Sequence, residues 1–204
     1  MMRMMLKFPE PKPVKVKVKE TLLQIVDMQY DFCNPNGAFY RPMVERNLPN
    51  IKKLLDKARE LDMVVVHQDS HAYPTPGEKR WKTLRGSFNG WFGPEVDELK
   101  PVNRPKEYIV PKTTHDIFFH TWMDELLKNL PEIDTVIVVG VDTTVCVLYT
   151  VAGYCIRGYR VIVPMDCVIS MNDEIQAMAL HVIANLCPAF PATITTSEMI
   201  TFEK

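Results

Sequence analysis

Short apolar runs alternate along the chain with longer stretches in which apolar residues recur every three or four positions. Strands are predicted at residues 21–26, 63–67, 108–110, 135–139, 160–163 and 192–195. Each is short and rich in Val or Ile, as strands buried on both faces are. Between them, residues 44–61 place Val44, Leu48, Ile51, Leu54, Leu55 and Ala58 on one helical face, and residues 116–130, 143–157 and 173–186 repeat that periodicity. The β-α-β order predicts an α/β fold, a three-layer α/β/α sandwich on a mostly parallel sheet of about six strands with right-handed crossovers.

Two stretches depart from the rhythm. Residues 9–19 alternate Lys with Pro or Val, which predicts an extended segment with lysine outward: an arm, or a protected edge strand, ahead of the main domain. The division expected is an arm over residues 1–20 and a single domain over residues 21–204. Residues 68–105 are long, rich in Pro, Gly and Trp, and follow directly on a strand, so they read as a loop lining a site.

Composition narrows the partners more than the chemistry. At 204 residues and 47% hydrophobic, the chain buries a full core in one domain. A formal charge of -1 gives no general drive toward nucleic acid or an anionic membrane, and the lysines of residues 9–19 do not change that. No apolar stretch approaches the roughly 20 residues that span a bilayer, and residues 1–8 are too short for a signal peptide, so a cytoplasmic protein is expected. The five cysteines are odd in number and show no C-x-x-C spacing, which argues against a disulfide framework or zinc ribbon and for reduced thiols.

Three apolar runs end on reactive groups: Leu22 to Val26 on Asp27, Ile109 to Pro111 on Lys112, and Val136 to Val139 on a turn that leads to Cys146. In an open parallel sheet, residues beyond the carboxyl ends of the strands converge, which predicts a carboxylate, an ammonium and a thiol in one place. Cys146 opens a predicted helix, whose free N–H groups favour a thiolate and an oxyanion. Asp27 suits the role of base toward the thiol, and Lys112 that of the cation holding both anions. Each residue also has a plainer reading: a packed cysteine, and a structural ion pair at the sheet's end. Asp31 reads as a turn or cap residue; Cys155, Cys167 and Cys187 read as packing, and His115 and His120 as capping or packing groups.

The segments Asp27-Met28-Gln29-Tyr30-Asp31-Phe32, Lys112 with His115 to Thr121, and Gly140-Val141-Asp142-Thr143-Thr144-Val145-Cys146 resemble, in order and spacing, the signatures of the isochorismatase-like cysteine hydrolases. That superfamily includes nicotinamidases (pyrazinamidases), N-carbamoylsarcosine amidase, ureido and biuret amidases, and isochorismatase. The resemblance implies Cys146 as nucleophile, Asp27 as base and Lys112 as the cation. It further implies a cis Val141-Asp142 peptide and an oxyanion hole built from the backbone N–H groups of Asp142 and Cys146. The implied reaction is amide hydrolysis through a thioester acyl-enzyme, nicotinamidase-like first and carbamoyl- or ureido-type second. A vinyl-ether hydrolase and a non-catalytic scaffold are the readings of another class.

The metal signature of that superfamily is only partly present. Nicotinamidases hold a divalent ion such as zinc through Asp-x-His and a further His; here Asp69 and His71 supply the pair, but no His lies between His71 and His115. Two side chains seldom make a tight site, so no cofactor is expected to be required. Phe32, Trp81 and Trp91, with Phe88 and Phe92, are candidate walls of a pocket for a small amide. The resemblance also implies a homo-oligomer, dimer or tetramer.

Overall fold

The computed structural model describes residues 6–71, 92–186 and 191–204. Nine strands and five α-helices are described: β1 Val14–Lys17, β2 Thr21–Val26, α1 Tyr30–Cys33, α2 Val44–Glu60, β3 Val64–Ser70, β4 Glu107–Lys112, α3 Met123–Lys128, β5 Thr135–Val141, α4 Cys146–Ile156, β6 Arg160–Pro164, β7 Val168–Ile169, α5 Asp173–Asn185, β8 Thr193–Thr195 and β9 Ile200–Glu203. The main sheet runs β4-β3-β2-β5-β6-β8, every pairing parallel, and the short β7 adds a seventh strand against β5. Every residue of β2 and β5 is buried, which explains why neither shows polar alternation.

Side-chain alternation sends Leu23, Ile25, Ile137 and Val139 to one face, where they pack with Ile51, Leu54 and Leu55 of α2. Leu22, Val136 and Val138 go to the other, against Met123 and Leu126 of α3, Val147 and Val151 of α4, and Leu180 and Ile183 of α5. These are the three layers expected. Strand order reverses at β2: the chain builds outward through β3 and β4, then returns to β2's other side with β5. Ligand crevices in open α/β sheets form at such reversals, beyond the carboxyl ends of the strands.

Gly140 makes the β2/β5 junction possible. Its φ is +116°, and an added Cβ would stand 2.2 Å from the Val26 carbonyl oxygen. The arm expected over residues 9–19 forms β1, paired in parallel with β9 as a separate two-stranded sheet; Val14 and Val16 point inward and Lys15 and Lys17 outward.

Most boundaries shift by one or two residues, and three shift further. The helix expected at residues 116–130 starts at Met123, because Asp116 and Thr121 side chains bond neighbouring backbone: Asp116 Oδ1 accepts from the Phe118 N–H, and Thr121 Oγ1 donates to the Ile117 carbonyl. The helix expected from residue 143 starts at Cys146. Residues 68–70, expected in the loop, instead extend β3, so that Ser70 pairs with Lys112. Among the described residues no helix is long and apolar enough to cross a membrane.

Candidate active site

Asp27 is the first residue beyond β2. It takes a positive φ of 50°, and its N–H donates to the Gln68 carbonyl at 3.1 Å. Lys112 closes β4, two strands away across the sheet, and its Nζ reaches back to 2.9 Å from Asp27 Oδ2. Both side chains are buried, where either charge alone would be costly. The ammonium donates to Ser70 Oγ at 2.7 Å and the Thr114 carbonyl at 2.9 Å, and lies 3.5 Å from Cys146 Sγ. The three residues singled out at the ends of apolar runs therefore meet at one sulfur atom.

Burial alone would pull the Lys112 pKa down; Asp27 and Cys146 more than offset this, and it is raised. Burial pushes the Cys146 thiol up, Asp27 adds to that, and Lys112 opposes without cancelling. Cys146 thus rests as a thiol, contrary to the thiolate that the helix N-terminus alone suggests. The Asp27 carboxylate bears on that thiol, yet neither of its oxygens completes a hydrogen bond of good geometry. Oδ2 is ion-paired with the Lys112 ammonium at 2.9 Å.

Cys146 is the first residue of α4, after a turn containing a cis Val141-Asp142 peptide. The Asp142 carbonyl accepts from the N–H groups of Val145 and Val147, the Thr143 N–H donates to the Ile169 carbonyl, and the Thr144 N–H donates to Asp142 Oδ1. These turn bonds use the amides of residues 143, 144, 145 and 147 and leave out those of Asp142 and Cys146. The Asp142 side chain is fixed as well: Oδ1 accepts from Thr144 Oγ1 at 2.7 Å within the turn, and Oδ2 pairs with Arg41 Nε at 2.5 Å from outside it. Arg41 also donates to the Phe39 carbonyl, tying the segment before α2 to the turn.

Beneath the thiol, α4 presents Cys146, Thr150 and Tyr154 to the sheet at intervals of four residues, one helical face. Each meets a polar partner on a different strand: Lys112 on β4, Gln68 on β3 at 3.0 Å, and Gln24 on β2 at 2.8 Å. Sequence reasoning missed Ser70, Gln68, Thr150 and Arg41. The available signal was a glutamine inside the apolar run of β2, which requires a buried partner.

His115, assigned above to capping or packing, instead brings Nδ1 to 3.4 Å from Cys146 Sγ, with its ring 5.9 Å from that of Tyr149. His120 stacks edge-on against Phe119. Asp31 accepts from the Ala38 N–H, a turn role. Phe32 is held in a cluster of rings with Phe39 and Phe92, at 5.8 and 4.9 Å. Trp81, Phe88 and Trp91 lie outside the described residues, as does Cys187. Cys33, Cys155 and Cys167 are buried thiols. His71 Nε2 meets Asp69 Oδ2 at 3.0 Å, and among the described residues no third His, Cys, Asp or Glu joins them. Two side chains are too few for a tight divalent site.

The Isochorismatase domain family matches residues 21–199. The chain belongs to the isochorismatase family. This isochorismatase-family hydrolase is 31% identical to the ureidoacrylate amidohydrolase RutB of Agrobacterium fabrum, over 67% of this chain and 70% of that one. It is similar to the solved N-carbamoylsarcosine amidase of Thermoplasma acidophilum, 25% identical with a TM-score of 0.72, covering 88% of this chain and 97% of that one. The nicotinamidase SaPncA of Staphylococcus aureus shares the fold, at 24% identity and a TM-score of 0.64 over 86% of this chain and 98% of that one.

Proposed function

We propose that this hydrolase is a cysteine-dependent amidase that cleaves the C–N bond of a small amide through a thioester acyl-enzyme. The observation that carries the reading is the meeting of Lys112 Nζ with Asp27 and Cys146 Sγ at the carboxyl end of the sheet. As the sulfur bonds the amide carbon, its proton passes to the Asp27 carboxylate, which bears on the thiol. Lys112 balances the negative charge left in the buried site. Charge developing on the carbonyl oxygen is taken by the N–H groups of Asp142 and Cys146, the two that the turn leaves out. Asp27 then returns the proton to the leaving nitrogen, the C–N bond breaks, and an acyl group remains on sulfur.

Of the two substrate classes, carbamoyl or ureido amides are preferred to nicotinamide. Relatives named for ureidoacrylate and N-carbamoylsarcosine support this, whereas the likeness to the nicotinamidase is one of fold. Asp69 and His71 are paired to each other, and among the described residues no third donor joins them. No cofactor is required, the pocket walls include Phe32, and a homo-oligomer in the cytoplasm is part of the same proposal.

The test is ammonia release from ureidoacrylate, N-carbamoylsarcosine, biuret, nicotinamide and pyrazinamide, with wild type and Cys146→Ala, each with and without a chelator. Turnover of a ureido or carbamoyl compound, lost in the variant and indifferent to chelator, is expected. Turnover of nicotinamide alone, abolished by chelator, would replace the substrate class, and activity surviving in Cys146→Ala would end the thiol mechanism.

A further inference from the structure

Strand alternation alone would send Asp27 to the wrong face of the sheet. Val26 packs on the side that carries α4, so the next residue of a continuing strand faces α2 with Ile25. Val110 shares the face of Val26, Lys112 follows it two residues on, and Cys146 lies on that face as well. The positive φ of Asp27 breaks the alternation and brings its carboxylate to 2.9 Å from Lys112 Nζ.

This departure takes two ladder partners from β3. The register of β2 on β3 ends with Val26 opposite Gln68, and the Asp27 N–H donates to the Gln68 carbonyl at 3.1 Å. In a parallel ladder the next two bonds run from the Ser70 N–H to the Asp27 carbonyl and from the Gln29 N–H to the Ser70 carbonyl. The two groups of the departing chain bond each other instead, the Gln29 N–H donating to the Asp27 carbonyl at 2.7 Å. Ser70 is buried, so its N–H and carbonyl need other partners.

The Gln29 carboxamide supplies both. Its Oε1 accepts from the Ser70 N–H at 2.8 Å, and its Nε2 donates to the Ser70 carbonyl at 3.3 Å and to the Gly93 carbonyl at 2.9 Å. Ser70 Oγ in turn accepts from the Lys112 ammonium at 2.7 Å.

We propose that Gln29 is a positioning residue for the amidase reaction: its side-chain amide stands in for the strand that Asp27 leaves, and so keeps Asp27 turned toward the thiol and Ser70 set against Lys112. This rests on the thioester reading above, in which Asp27 receives the thiol proton. Without the carboxamide, the Ser70 N–H competes for the Asp27 carbonyl, β2 lengthens by one residue, and the carboxylate is drawn toward the α2 face, away from Cys146.

Two variants test this. Gln29→Met removes every side-chain bond at nearly the same length. Gln29→Glu is the sharper probe, because a protonated carboxyl reproduces the amide's acceptor and donor, whereas a carboxylate has no donor to offer the Ser70 and Gly93 carbonyls. Burial raises the pKa of that carboxyl, as do Asp27 two residues before it and Glu95 across the bridge to Gln29, while Lys112 at Ser70 opposes.

The reaction measured is acetylation of Cys146 by p-nitrophenyl acetate, followed as the first turnover of p-nitrophenolate from mildly acid to alkaline pH. Gln29→Met should be slower than wild type by about 10- to 100-fold throughout, as small displacements at a reacting centre are. Gln29→Glu should match wild type in acid and fall toward Gln29→Met as its carboxyl ionises, with the far-ultraviolet circular dichroism constant over the range. A glutamine that serves the fold alone gives no such limb. Should Gln29→Met fail to fold, the pH dependence of Gln29→Glu decides by itself. Gln29→Met acetylated at the wild-type rate, or a ratio of Gln29→Glu to wild type that does not fall with pH, overturns the proposal and leaves the thioester reading standing. An acetyl group absent from wild-type Cys146 overturns the thioester reading itself, and the proposal with it.

Discussion

The Lys112 ammonium stands 2.9 Å from the Asp27 carboxylate, with the two side chains 1% and 0% exposed. Removing one partner of such a pair strands the other charge away from water, at a cost of about 3–5 kcal/mol. Lys112→Met should lose that much stability in urea denaturation. Lys112→Met combined with Asp27→Asn should recover a large part of it, while all such variants remain inactive. A double variant no more stable than the single one would show that the ion pair is not what Lys112 contributes.

Cys146 is held up as a thiol by burial and by Asp27. Its alkylation by iodoacetamide, followed by peptide mass analysis, should therefore keep accelerating as pH rises through neutral into the alkaline range. A rate already level from mildly acid pH would indicate a resting thiolate and contradict this ordering of charges.

Arg41 reaches Asp142 across 101 positions of sequence and fixes the carboxylate of the residue whose N–H is assigned to the oxyanion. Small displacements at a reacting centre cost up to about 10²-fold in rate. Arg41→Ala should lower kcat by about 10- to 100-fold, with KM less affected and the far-ultraviolet circular dichroism unchanged. Arg41→Lys should fail to restore it, since an ammonium does not reproduce the guanidinium's geometry. Equal kcat in both variants and wild type would remove Arg41 from the site.

His67 is buried between Glu95 and Glu107, at 3.0 and 2.9 Å. Burial pulls its pKa down, but the two carboxylates more than offset this and raise it above the ordinary 6.5. A histidine raised in the folded state stabilises fully below its unfolded pKa, and that contribution is lost as pH climbs through the folded value. Wild type should therefore lose stability with rising pH above 6.5, relative to His67→Gln/Glu95→Gln. Parallel stability curves for the two proteins would refute it.

The strands were readable because their burial is uniform: β2 and β5 are buried throughout and mostly apolar, and a reactive residue at the end of such a run is conspicuous. Asp27, Lys112 and Cys146 were found by that exception to composition. Ser70 and Thr114 were not, since their part is to accept from Lys112, and a serine or a backbone carbonyl beside a strand looks like any other. Arg41 precedes a helix in an ordinary polar stretch, and nothing local marks its distant partner. His115 was misread for a related reason: its spacing fits a helix that begins only at Met123, and the turns that displaced the helix aim the ring at the sulfur. The short β7 was invisible because two residues carry no period.

The strand order also bears on synthesis. Asp27 and Lys112 both precede Cys146 as the chain is made, but β2 acquires its second neighbour only when β5 is added, and β5 carries the turn to Cys146. A nascent chain halted before β5 holds a carboxylate and an ammonium with no nucleophile between them. A chain that has made Cys146 but not yet docked β4 holds an ordinary solvated thiol. The proposed reaction needs all three groups together, so a chain in which either β4 or β5 is missing from the sheet would lack the proposed chemistry.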